Sequence, residues 1–155
     1  FPAEVKKKYI ENIEIIRKHF KTSEIVIQSE GRGNNDRAFA RENFGLDNLK
    51  TLKDAIDNEK GVVISVRLHG AIETMLNECP AVHLSYERKG FGAYEDLGLD
   101  DYVVNVGNFD AISIIEKVEN LLSDQNNYWD KVSKNKEKLI KQRDTIVKTI
   151  KDSVV

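Results

Sequence analysis

Apolar residues Val5, Tyr9, Ile13, Ile16 and Phe20 recur at steps of three and four, which places them on one helical face and predicts a first helix packed on a sheet. The β-branched run Glu24-Ile25-Val26-Ile27-Gln28 reads as a short buried strand. Two glycines, two asparagines and a serine in Ser29-Glu30-Gly31-Arg32-Gly33-Asn34-Asn35-Asp36 predict a loop, followed by a short helix over 37–43. Asp47 is the expected N-cap of a helix carrying Leu49, Leu52, Ala55 and Ile56. Gly61 opens Val62-Val63-Ile64-Ser65-Val66, the most strand-like run in the chain, which reads as a central parallel strand.

The rhythm continues with a helix over 70–77, a strand over 81–85, a helix over 91–97 ended by Gly98, a strand over 102–104 and a helix over 110–122. Strands and helices alternating at these short intervals predict right-handed βαβ crossovers. The expected fold is therefore α/β: a Rossmann-like open parallel sheet flanked by helices. From about Asn126 to Ser153, Trp129, Val132, Leu139, Ile146 and Ile150 share one stripe among lysines, which predicts a long C-terminal amphipathic helix. No internal repeat, low-complexity tract or linker is apparent, so residues 1–155 read as one domain.

Composition narrows the class of protein. With 24 Lys and Arg against 26 Asp and Glu the formal charge is −2, which disfavours a nucleic-acid partner bound by bulk charge. No apolar run approaches the roughly 20 residues of a membrane span, and the first residues lack an export signal. The chain starts at Phe1 rather than Met, read here as a cut within a longer protein. Cys79, the single cysteine, is expected as a small buried thiol.

Ligands of open parallel sheets bind beyond the carboxyl ends of the strands. One such exit reads Ser65-Val66-Arg67-Leu68-His69-Gly70-Ala71, where Arg67 and His69, two apart in extended chain, are expected to point the same way. An arginine fork suits carboxylate or phosphate, and histidine moves a proton near neutral pH. The next exit, Ser85-Tyr86-Glu87-Arg88-Lys89-Gly90-Phe91-Gly92, adds cations on the same sheet edge. Two basic turns side by side suit a small, doubly charged anion. Gly31-Arg32-Gly33 completes neither the P-loop nor the dinucleotide fingerprint, so nucleoside triphosphate and NAD are not expected. No metal is expected, since His19, His69 and His83 fall on different elements. Inside its strand, His83 reads as a satisfied core residue, and Arg67, His69 and Tyr86 taken singly also admit structural roles.

The run Val63 to Ile72 with its Arg-Leu-His-Gly element, then Pro80-Ala81-Val82, Ser85-Tyr86 with Lys89, Gly90-Phe91 and Leu97-Gly98-Leu99, resembles the C-terminal half of the polysaccharide pyruvyl transferases. The resemblance runs from about Gly61 to Leu122. It implies an enzyme of two Rossmann-like domains similar to GT-B glycosyltransferases, this chain being the second and the N-terminal domain being absent from it. It further implies transfer of the pyruvyl group of phosphoenolpyruvate to two sugar hydroxyls, giving a cyclic ketal and inorganic phosphate in cell-surface or exopolysaccharide biosynthesis. Arg67 and His69 would then be catalytic, with Lys89, Tyr86, Ser65 and Gly70 binding substrate. No cofactor beyond the donor is implied; the partners are phosphoenolpyruvate and a carbohydrate or polysaccharide-precursor acceptor, in the cytoplasm. The sequence departs from the family's Gly-x-Pro pattern before Pro80 and carries a more charged turn at Glu87-Arg88-Lys89.

Two other readings stay open. A GT-B glycosyltransferase donor domain would hold a nucleotide sugar at the same exits, with Asp110 or Glu116 on the ribose. A non-catalytic module would use its terminal helix for assembly.

Overall fold

The structure is a computed structural model that describes residues 2–28 and 36–154, with 147–154 described by backbone alone. The chain divides into two compact units, one over residues 1–60 and one over 61–155.

The first unit holds α1 (Ala3–His19), α2 (Asp36–Phe44) and α3 (Leu52–Asn58). Tyr9 of α1 meets Phe39 of α2 edge-on at 6.4 Å, and Phe39 in turn meets Phe44. Lys6 and Arg17 of α1 lie over the Phe39 and Phe44 rings. The apolar side of α1 thus packs on a helix rather than on the expected sheet. The expected strand over 24–28 reduces to a single parallel bridge between Ile27 and Thr51, because the partner segment turns into α3 one residue later. Thr51, not Asp47, caps α3 by accepting the Asp54 N–H at 3.1 Å. Asp47 instead accepts from Arg41 Nε at 2.7 Å. The glycine-containing loop predicted over 29–36 falls, up to Asn35, outside the described residues.

The second unit contains a parallel sheet of β1 (Val63–Ser65), β2 (Ala81–Ser85) and β3 (Val103–Asn105), in that spatial order. The α/β class and the open parallel sheet flanked by helices therefore match expectation. The place of the most β-branched run does not. Val63 and Ile64 sit half-buried at the edge of the three strands, whereas every residue of β2 is buried in the centre. β2 lies at its expected residues 81–85, but burial on both faces, rather than β-branched content, marks a central strand, and a histidine and a serine disguise that central place.

Helices α4 (Leu68–Leu76) and α5 (Arg88–Asp96) join the strands, each starting before its expected first residue. Helix α6 (Ala111–Ser123) follows the predicted range closely, with Asp110 as N-cap accepting the Ile112 N–H at 3.1 Å. The single long C-terminal helix is instead two, α7 (Asn126–Lys134) and α8 (Lys136–Val154). Asn135 breaks them: it leaves helical geometry, and its side-chain amide donates to Leu97 O at 3.3 Å and Lys131 O at 2.8 Å. Tyr128 of α7, absent from the expected stripe, is buried. Its hydroxyl takes the Ala81 N–H at 3.0 Å and, with the Tyr94 hydroxyl, donates to Ala81 O. Both main-chain polar groups of Ala81, the first residue of the buried strand, are thereby paired. Burial pushes both phenol pKa values up, so both stay neutral.

The second unit also has an internal period of 20 residues, contrary to the expectation of no repeat. Ser65, Ser85 and Asn105 each end a strand. Helices α4 and α5 start 20 residues apart and end 20 residues apart. Each is closed by a residue in left-handed conformation, Glu78 (φ 64°) and Gly98 (φ 73°). The closing bonds repeat too: Glu78 N–H to Met75 O and Cys79 N–H to Thr74 O, then Gly98 N–H to Glu95 O and Leu99 N–H to Tyr94 O. Cys79 itself is buried. Among the described residues, no helix is long and apolar enough to cross a membrane.

Candidate functional site

A parallel strand must leave the sheet abruptly if a nine-residue helix is to return it alongside its neighbour. The last residue of each strand makes that turn. Ser65 Oγ donates to Arg67 O at 2.9 Å and accepts the Arg67 N–H at 3.2 Å. Ser85 Oγ repeats both bonds with Glu87, at 2.7 and 3.2 Å, and Asn105 Oδ1 accepts the Gly107 N–H at 2.7 Å. Such local side-chain bonds divert the backbone from the ladder into a turn. Arg67 and Glu87 then occupy N-cap positions with extended backbone.

The helix therefore starts at Leu68, one residue before His69. Strand alternation does not govern Arg67 and His69; the first sits on the cap and the second in the first turn of α4. They are close enough to interact. Burial lowers the His69 pKa from its ordinary 6.5, the Arg67 charge lowers it further, and Glu73 opposes both. His69 is thus a neutral, half-buried imidazole beside a guanidinium at neutral pH.

The remaining predicted residues divide by burial. Ser65 is buried with its hydroxyl committed to the turn, and Gly70 is buried with its carbonyl accepting the Thr74 hydroxyl at 2.7 Å. Both shape α4's first turn. Tyr86, 57% exposed, and Lys89, exposed in the first turn of α5, face solvent at the neighbouring exit. The exits are not level. Ser65 pairs in register with His83, and Ser85 with Asn105, so β2 runs two residues past the end of β1, roughly 7 Å. The sheet edge is a step, with Arg67 and His69 on the lower tread and Tyr86 and Lys89 on the upper.

His83 fills the riser. It is 2% exposed, its Nδ1 lies 2.9 Å from Ser65 O, and its ring stacks on Tyr94 at 5.6 Å. Burial lowers its pKa, which keeps it neutral, with Nδ1–H donating to the carbonyl. Gly90 presses on the other edge of the ring: a Cβ there would lie 2.6 Å from His83 Nε2 and collide with Ser85 Oγ. Sequence reasoning missed this requirement for glycine; the matching positions Gly70 and Gly90 in two equal-length turns were the available signal.

Asp110, a possible ribose ligand in the nucleotide-sugar reading, is engaged as the α6 cap, and Glu116 is exposed on that helix. An open groove in the first unit, lined by Arg37, Arg41, Leu46, Asp47, Asn48 and Leu49, holds none of the predicted residues. Among the described residues, no group of three or more His, Cys, Asp or Glu side chains is placed to hold a metal ion. No family model, curated protein or solved structure matches the chain.

Proposed function

We propose that this chain is the donor-binding, C-terminal part of a polysaccharide pyruvyl transferase of GT-B type, acting in the cytoplasm on phosphoenolpyruvate and a saccharide acceptor. The observation that carries the reading is the Arg67–His69 pair at the start of α4, a guanidinium beside a neutral, half-buried imidazole at a strand exit. The resemblance of Arg-Leu-His-Gly and Tyr-x-x-Lys to that family supports the same reading.

The chemistry follows from charge. A donor bearing a phosphate and a carboxylate counters the Arg67 charge at His69 and so raises the imidazole pKa, bringing a proton in with the substrate. Imidazolium passes that proton to C3 of phosphoenolpyruvate, leaving C2 electrophilic. One acceptor hydroxyl adds to C2 and returns its proton to His69. The second hydroxyl displaces phosphate, which departs with the remaining hydroxyl proton as hydrogen phosphate. Arg67 holds the leaving phosphate oxygens and Lys89 the second anionic group, while Tyr86 orients the donor through its hydroxyl. Ser65 and Gly70 serve by shaping the turn that presents Arg67 and His69.

Phosphate release from phosphoenolpyruvate with a saccharide pool, in the protein that contains this chain, tests the roles. His69→Ala is expected to cut turnover by roughly a hundredfold or more while leaving donor affinity within a few-fold. Turnover unchanged in His69→Ala removes the general-acid role.

A further inference from the structure

We infer that His83 is a positioning residue that holds the two basic turns at a fixed separation, so that one small ligand with two anionic groups spans them. The inference rests on the reading of those turns as a donor site. His83 Nδ1–H donates to Ser65 O, the carbonyl from which the chain departs toward Arg67 and His69. The opposite edge of the ring, Nε2 and Cδ2, lies against Gly90, the residue after Lys89. Stacking on Tyr94, whose hydroxyl is anchored on Ala81 O, leaves the ring one orientation. Ser85 Oγ, which turns the chain toward Lys89, also abuts Gly90. A single buried imidazole therefore touches both treads of the stepped sheet edge. An aliphatic residue of similar size fills the space but gives Ser65 O no donor, and asparagine restores a donor near the Nδ1 position.

The consequence is geometric. A ligand with two charged ends gains from simultaneous engagement only if the two turns keep their spacing, whereas a single anion uses one turn and is indifferent to it. Amide NMR titrations of this chain with phosphoenolpyruvate, and separately with inorganic phosphate, read the difference. The wild type is expected to bind phosphoenolpyruvate at least about tenfold more tightly than phosphate, with shifts at both Arg67–Ala71 and Tyr86–Gly92. His83→Leu is expected to bring the two affinities within about twofold while phosphate binding holds, and His83→Asn to recover most of the gap. A folded His83→Leu with the wild-type ratio overturns the inference. Gly90→Ala gives an independent reading without ligand: displacing the imidazole from the α5 side is expected to shift the amides of Arg67–Ala71 across the strand. Shifts confined to residues 83–92 overturn the coupling even if His83→Leu does not fold. If the wild type binds no phosphoenolpyruvate while Gly90→Ala still moves Arg67–Ala71, the coupling stands and the donor reading fails.

Discussion

The two βα repeats of the second unit, residues 63–79 and 83–99, share a backbone and almost nothing else. Between Ser65 and Cys79 on one side and Ser85 and Leu99 on the other, only the turn serine and the buried glycine are identical. The serine turns, the helix lengths and the left-handed closures nevertheless coincide. The serine turns the strand in both repeats, both glycines are buried, and at Gly90 a side chain would collide with His83 and Ser85; the residues between serine and glycine differ in charge and exposure. The first repeat places a half-buried Arg67 and His69 there, the second an exposed Tyr86, Arg88 and Lys89. A charge held in a partly dry turn interacts more strongly than one on a solvated rim.

That contrast gives the largest predicted effect. Arg67→Ala is expected to weaken phosphoenolpyruvate binding by roughly ten- to a hundredfold and Lys89→Ala by only about two- to fivefold, measured by calorimetric titration. Equal losses would erase the distinction between the treads. Next in size, Gly90→Ala is expected to lower stability by about 1–3 kcal/mol in denaturant unfolding, because the added methyl meets His83 and Ser85.

The histidines set a pH dependence. His69 and His83 both have pKa values below the ordinary 6.5 in the folded chain, so the unfolded state binds more protons. Their contribution is present above pH 6.5 and is lost as pH falls from there through the folded values. Unfolding midpoints in urea should decline over that window, and His83→Asn should flatten the decline; a midpoint constant from pH 7 to 5 contradicts it. The smallest effect sharpens the comparison of helix ends. Gly98→Ala should cost about 1 kcal/mol, since alanine resists the left-handed region and a Cβ there meets Lys131 only at ordinary distance. Glu78→Gly should gain about 0.5–1 kcal/mol for the same reason in reverse.

Which features were legible in the sequence follows from the same physics. Alternating β and α segments and the capped, amphipathic α6 were legible because periodicity and an Asp N-cap agree there. β2 was legible as a strand over 81–85, but its central place was not: it is buried throughout, yet His83 and Ser85 lend it polar letters, the first satisfied by Ser65 O on the neighbouring strand and the second by Glu87 in the turn that follows. The repeat is written in hydrogen bonds and helix lengths, with two shared residues between Ser65–Cys79 and Ser85–Leu99. The break at Asn135 was hidden by a stripe that continues through it, while the asparagine's partner outside the helix, the Leu97 carbonyl, is a tertiary contact. Arg67 and His69 were legible as neighbours at a strand exit, but their extended-chain alignment was not the right geometry, since α4 begins between them. The segment 24–28 had the residues of a strand, but among the described residues it pairs through the single Ile27–Thr51 bridge.

The most direct measurement is an amide NMR titration of the 155-residue chain with phosphoenolpyruvate, with a uridine diphosphate sugar and inorganic phosphate as comparators. The account predicts saturable shifts at both Arg67–Ala71 and Tyr86–Gly92 with phosphoenolpyruvate, and weaker shifts at one turn with phosphate. Shifts at those turns with the nucleotide sugar alone, or none at either turn with phosphoenolpyruvate, would contradict it.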